Sequence, residues 1–310
     1  VVPVAAQKGT EDLKRKAKDL LKQLENRGAN PQARPAQEAV QIASLADNRV
    51  RESSGLVASL RNPGVLWTHN DSGDDAYVYA TDMSGRALAR FLVTGAKNVD
   101  WEDIAIGPGP GDQPALYIAD LGDNDRKRTD ICIYRVTEPE VDRAKTRVEG
   151  ETMLAQRFPV RYPDGKHDAE ALVVHPTTGE ILIITKEDSG RSGVYTYPLP
   201  LRRDTVVTLE RVRTFEFVNP LIVRGYPVGK LATAADVSHD GRFMVVRSYT
   251  DAFEWTVPPG QKLADAVKST PRALPVPWLG QFEAICYTPD AKYLLTTCEG
   301  APCPLWRVPR

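Results

Sequence analysis

The chain has 310 residues, 42% of them hydrophobic, and its 40 basic and 41 acidic side chains leave a formal net charge of −1. That balance excludes the broad electrostatic attraction behind general nucleic-acid or anionic-membrane binding, and no apolar run reaches the ~18 residues of a membrane-spanning helix. Four cysteines without a C-x-x-C pair, and four scattered histidines, speak against a zinc framework.

The N-terminus, Val1-Val-Pro-Val-Ala-Ala6, carries no initiating Met, and a processed secreted or periplasmic protein is the expectation drawn from it. Residues 10–26 predict one amphipathic helix. Thr10 is its N-cap, Glu11 and Asp12 fill its first turn, and Leu13, Leu20, Leu21 and Leu24 form its apolar stripe. Gly28 and Pro31 end it, so residues 1–38 read as helix and linker and residues 39–310 as the folded domain.

From about residue 40 the pattern is all β. A carboxylate followed by a branched apolar run recurs as Glu52-Ser-Ser-Gly-Leu-Val57, Glu102-Asp-Ile-Ala-Ile106, Glu170-Ala-Leu-Val-Val174, Ala234-Ala-Asp236-Val-Ser238 and Glu283-Ala-Ile-Cys-Tyr287. A loose period of roughly 50 to 70 residues is the signature of a radial repeat, most simply a β-propeller. Each copy is followed by a second strand that ends in polar residues, as in Val65–Asp71, Leu116–Asp120, Ile181–Lys186, Phe243–Arg247 and Tyr293–Glu299. Asn62-Pro-Gly64, Pro176-Thr-Thr-Gly179 and His239-Asp-Gly241 supply the turns. Third strands follow, and weaker fourth strands are visible at 86–92 and 209–217. The last copy stops at its third strand, and 39–45 supplies the missing fourth, closing the ring by pairing the two ends. Five blades are predicted. The alternative is six, with a degenerate blade in 137–165.

Ser54-Gly-Leu-Val-Ala-Ser59, Asn62–Gly73 and Asp100-Trp-Glu-Asp-Ile-Ala-Ile-Gly-Pro-Gly109 together resemble a widespread, largely uncharacterised family of secreted bacterial propellers common in actinobacteria. Ile118–Asn124, His167–Leu172, Tyr249–Trp255 and Gln281–Ile285 extend the likeness over residues 40–310. A looser similarity to phytase-like and esterase-like propellers implies Ca²⁺ held in acidic clusters around a channel, and it favours a metal-dependent phosphoesterase.

In an antiparallel blade, the start of the first strand and the end of the second share a face. Glu52, Glu102, Glu170, Asp236 and Glu283 are therefore expected to ring a channel mouth, Asp236 sitting later in its copy than the rest. So many carboxylates cannot all be charged without a counter-ion. Oxygen-only ligands favour Ca²⁺; the other reading is that each acid bonds backbone amides of a neighbouring blade. Asn70, Asp71, Asp120, Asp123, Tyr249 and Glu299 form a second, substrate-binding circle, and Lys186 and Arg247 add positive charge able to clamp an anion. The expected function is Ca²⁺-dependent binding, and possible hydrolysis, of an anionic small molecule or glycan, with Glu102, Glu170, Glu283, Lys186 and Arg247 carrying the chemistry. Two alternatives stand beside it: a glycoside hydrolase using paired carboxylates, and a non-catalytic, monomeric module whose face or 10–26 helix binds a protein or polymer. Cys298 and Cys303, with four residues between them, are close enough for a local disulfide.

Overall fold

Five sheets, antiparallel apart from a short parallel edge strand on two of them, stand in a ring in the computed structural model, which describes residues 39–217, 228–278 and 281–310. The expected helix at 10–26 and its linker lie outside the described residues. Blade 1 comprises β2 (Ser53–Ala58), β3 (Val65–Asn70), β4 (Tyr77–Asp82) and β5 (Ala87–Leu92). Blade 2 comprises β6 (Trp101–Pro108), β7 (Pro114–Asp120), β8 (Cys132–Thr137) and, beyond the short β9 (Val148–Glu151), β10 (Gln156–Arg161). Blade 3 contains β11 (Ala169–Val174), β12 (Ile181–Thr185), β13 (Arg191–Thr196) and β15 (Glu210–Glu216), while the short β14 (Val207–Thr208) pairs parallel with β10 at the edge of blade 2. Blade 4 runs β16 (Ala232–Val237), β17 (Phe243–Ser248), β18 (Ala252–Thr256) and β19 (Arg272–Leu274). Blade 5 is β20 (Phe282–Tyr287), β21 (Tyr293–Cys298), β22 (Pro304–Pro309) and, from the other end of the chain, β1 (Val40–Ser44). The protein is a five-bladed β-propeller.

The antiparallel pairing of β1 with β22 is the predicted closure. The stretch that left a sixth blade open resolves differently: β9 extends the edge of blade 1 parallel to β5, while β10 is the fourth strand of blade 2. Five apolar clusters, one between each pair of neighbouring blades, make up the core, so no blade face is left open. Trp67 and Trp101 fill the gap between blades 1 and 2; Phe215, Phe217, Phe253 and Trp255 stack edge-to-face between blades 3 and 4. Cys132, Cys286, Cys298 and Cys303 are all buried and in no disulfide, so the local Cys298–Cys303 bridge is not formed. Among the described residues no helix is long and apolar enough to cross a membrane.

Every inner strand opens with the same irregularity. Ser53 pairs with Asn70 and Gly55 with His69, so Ser54 is an extra, bulged residue. The equivalent residues are Glu102, Glu170, Thr233 and Glu283. A bulge re-aims the side chain of the inserted residue, and here it recurs at one level around the channel.

Candidate functional site

The bulge register sorts the expected acid ring. Glu102, Glu170 and Glu283 occupy equivalent places, each nearly fully buried. Blades 1 and 4 put hydroxyls there instead. Ser54 Oγ donates to the Glu102 carbonyl at 2.6 Å and Thr233 Oγ1 to the Phe282 carbonyl at 3.3 Å, each stitching one blade to the next. Glu52 stands two residues before the bulge and is exposed; Asp236 lies three residues beyond it, deeper in the channel. Neither joins the carboxylates at the mouth.

Asp236 has an architectural task. Its Oδ2 accepts the Tyr287 amide of blade 5 at 2.7 Å, and burial raises its pKa to about 8. Asp103 does the same on a larger scale. Its Oδ2 accepts the amides of Leu172 (2.9 Å) and Ala235 (3.1 Å), and its Oδ1 that of Ile104 (2.9 Å), joining blades 2, 3 and 4. β11 and β16 are the innermost strands of their sheets, so these are amides on an otherwise unpaired edge.

Three of the mouth carboxylates gather at one point. Oxygens of Glu102, Asp168 and Glu170 lie within 4.8 Å of one another, and Glu102 also shares such a group with Asp71 and Asp100. Asp168 and Asp100 directly precede their strands in two copies of an Asp-x-Glu motif, Asp100-Trp-Glu102 and Asp168-Ala-Glu170. Sequence reasoning took the Glu and passed over the Asp, although the repeated spacing was the available signal.

Asp168 is fully buried; its Oδ1 accepts the Asp123 amide at 2.8 Å, while its Oδ2 has no hydrogen-bond partner. Gly122 makes room for the acids: a Cβ there would collide with Glu102 Oε1 and Asp100 Oδ2. Burial, then the neighbouring charges of Glu170, Asp71, Asp100 and Asp168, push the Glu102 pKa well above the usual carboxylate range. Burial and Asp168 lift Asp100 to about 6. Such a set of hard oxygen donors, short of positive charge, fits a divalent cation such as Ca²⁺.

Lys186 brings positive charge of the protein's own to the cluster. Lys186 Nζ bonds Glu170 and donates to Tyr249 OH at 3.0 Å, and that hydroxyl donates to Glu283 Oε1 at 2.7 Å. Burial alone would lower the Lys186 pKa, yet Glu170, Glu283, Asp168 and Glu102 hold it well above its ordinary value. Lys186 is therefore charged and engaged with the acids. Arg247 is fully buried, bonded to Thr296 and to the carbonyls of Ser248, Tyr249 and Pro277 and set over the Phe282 ring. Burial lowers its pKa to about 9. It braces blade 4 against blade 5 and is not displayed at the rim.

Much of the second circle is committed to backbone. Asn70 accepts the amides of Arg51 and Glu52 and donates to Arg49 O and Asp74. Asp120 pairs with Arg128 at 2.8 Å; Asp123 accepts the amides of Lys127 and Arg128. Asp71 and Glu299 remain half-buried at the mouth. His69 is sealed between blades 1 and 2, against Trp101, and burial lowers its pKa to about 4.

Gly122→Ala is expected to crowd the acids apart, costing about 1–3 kcal/mol and abolishing any cation-induced rise in melting temperature. An unchanged rise would place the cation elsewhere.

No family model matches the chain and no curated protein matches it in sequence, so the bacterial-family resemblance has no support beyond the residues that carry it. Among solved structures the chain is similar to a gluconolactonase from Xanthomonas campestris, at 14% identity over 79% of this chain and 68% of that one, with a TM-score of 0.42. It is also similar to the β-propeller domain of Cps50 (Swd1) from Myceliophteria thermophila, at 13% identity over 79% of this chain and 66% of that one, TM-score 0.41. These likenesses are distant; the five-blade description rests on the sheet order, and neither bears on a residue of the mouth.

Proposed function

We propose that the channel mouth holds a divalent cation, Ca²⁺ by its donor chemistry, and that the protein is a cation-dependent hydrolase of a small anionic substrate. The observation that carries this reading is the Glu102–Asp168–Glu170 cluster with its buried, unpartnered Asp168 Oδ2. Glu102, Asp168 and Glu170 would hold the ion, with Asp71 and Asp100 on the more open side. A cation there would polarise a phosphoryl or carbonyl oxygen and lower the pKa of a water.

The chain's own groups supply the rest. Lys186 fixes the Glu170 carboxylate and, through Tyr249, orients Glu283 on the far side of the mouth. Burial and the neighbouring acids raise the Glu102 pKa, so a cation at this point, which favours the carboxylate, would draw its proton off and leave it available as a ligand. The test is a panel of phosphomonoesters, lactones and carboxylic esters assayed with Ca²⁺ and with chelator. Glu102→Gln should remove turnover while leaving the melting temperature of the chelated protein unchanged or higher. Turnover that survives both chelator and Glu102→Gln would end the hydrolase reading at this site.

A pH dependence follows. Asp100 and Asp236 have folded pKa values of about 6 and about 8, above the ordinary 3.8, and Glu102 is raised from 4.5. The stability these neutral acids confer is fully present below pH ~4 and is lost as pH climbs through 6 and then 8. The chelated protein should therefore melt at lower temperature at pH 8.5 than at pH 5.5. The Ca²⁺-induced increment should run the other way, largest at pH 8.5. An increment independent of pH would mean that the raised acids are not the ligands.

A further inference from the structure

A second cleft opens on the same face as the mouth, in the outer part of blade 2, between the β7–β8 loop (121–131) and the β10–β11 loop (162–168). Its volume is about 460 Å³, and Ile131, Val160, Tyr162 and Val206 give it an apolar lining. Ile131, Val160 and Tyr162 are buried, but Val206 is 57% exposed, an aliphatic side chain left open at the rim. The Tyr162 hydroxyl is buried and has no hydrogen-bond partner.

Two cations at the rim of the cleft stand outside its ion pairs. His167, which lines it, is engaged by Glu187 at 2.7 Å and Asp164 at 3.1 Å. Arg128 is engaged by Asp120 and Asp130. The two oxygens of Asp123 accept the Lys127 and Arg128 amides. Arg161 and Lys166 remain: Arg161 Nε donates to Thr208 Oγ1 at 2.8 Å and Lys166 Nζ to the Lys127 carbonyl at 2.5 Å, and neither has a carboxylate partner among the described residues. An apolar trough of small-molecule size, edged by two cations without carboxylate partners, selects for a ligand with an apolar body and one anionic end.

We propose that this cleft binds a small organic monocarboxylate. Its ring or short chain lies on Ile131, Val160 and Val206, and its carboxylate faces Arg161 and Lys166. The site is separate from the proposed cation centre, none of whose ligands lines it, so it does not depend on the hydrolase reading.

The probe is benzoate, titrated by calorimetry or ligand-observed NMR into chelator-treated protein, so that a bound cation contributes nothing. Benzyl alcohol tests the apolar body alone and inorganic phosphate the charge alone. The expected result is saturable benzoate binding at least about tenfold tighter than either control. Val206→Asp and Arg161→Glu, both at exposed positions, should each weaken it by a similar factor at an unchanged melting temperature. No saturable benzoate binding, a benzoate affinity unaltered in both variants, or phosphate or benzyl alcohol binding as tightly as benzoate, would overturn the proposal. None of those outcomes touches the cation titration at the mouth.

Discussion

Asp103→Leu is expected to destabilise the propeller by about 3 kcal/mol or more, because three backbone amides lose their acceptor at once and an unsatisfied buried donor costs roughly 1–3 kcal/mol. The amides belong to Ile104, Leu172 and Ala235, so the loss falls on three blades together. Burial pushes the Asp103 pKa well up while those amides pull it down, which means that part of their stabilisation already offsets the cost of enclosing the acid. Leucine removes that cost as well, which keeps the net effect below the sum of three full penalties. Asp103→Asn provides the control. Its carbonyl can still serve Leu172 and Ala235, both of which bond a single oxygen, and only the Ile104 amide is left facing a donor. The asparagine variant should lose about a third as much. Denaturant unfolding measures both; a leucine variant within 1 kcal/mol of the parent would mean that the amides find water or shift.

Lys186→Met should be the second large effect, and it ties stability to the site. The ion pair with Glu170 is about 5% exposed on each side. Removing one partner of such a pair leaves a buried uncompensated charge, with a typical cost of 3–5 kcal/mol. The Tyr249 hydroxyl loses a donor at the same time, loosening its hold on Glu283. In chelator, the variant should melt well below the parent. Ca²⁺ should restore most of the difference, since a ligand at about 1,000 times its Kd stabilises by about 4 kcal/mol. A methionine variant as stable as the parent in chelator would show that Glu170 is neutral and that the mouth carries less charge than its geometry implies.

The fold could be read in the sequence because its signal is redundant. Five copies, each with a second strand and three with a clear turn motif, fix blade number even where one stretch is opaque, and 39–45 is the missing partner of β22. The uncertain stretch, 137–165, hid no blade; it supplied the Glu-containing edge strand β9 and the fourth strand of blade 2, β10, positions where polar residues are ordinary. The site was harder. A one-residue bulge decides which side chain enters the mouth, and no composition rule distinguishes a carboxylate in the bulge from one two places earlier or three later. Glu52 and Asp236 were displaced for that reason, while Asp100 and Asp168 went unread. Asn70, Asp120, Asp123 and Arg247 show a second difficulty: polar side chains at strand ends serve backbone caps as readily as ligands, and only the hydrogen-bond partners tell which.

The most direct test of the cation centre is a calorimetric titration of Ca²⁺ into chelator-stripped protein at pH 8, alongside Asp168→Asn. The proposal predicts one ion per chain at the mouth and loss of that binding in the variant with the fold intact. An absence of binding up to millimolar Ca²⁺, or binding undiminished in Asp168→Asn, would contradict it and leave Glu102, Asp168 and Glu170 as struts of the channel.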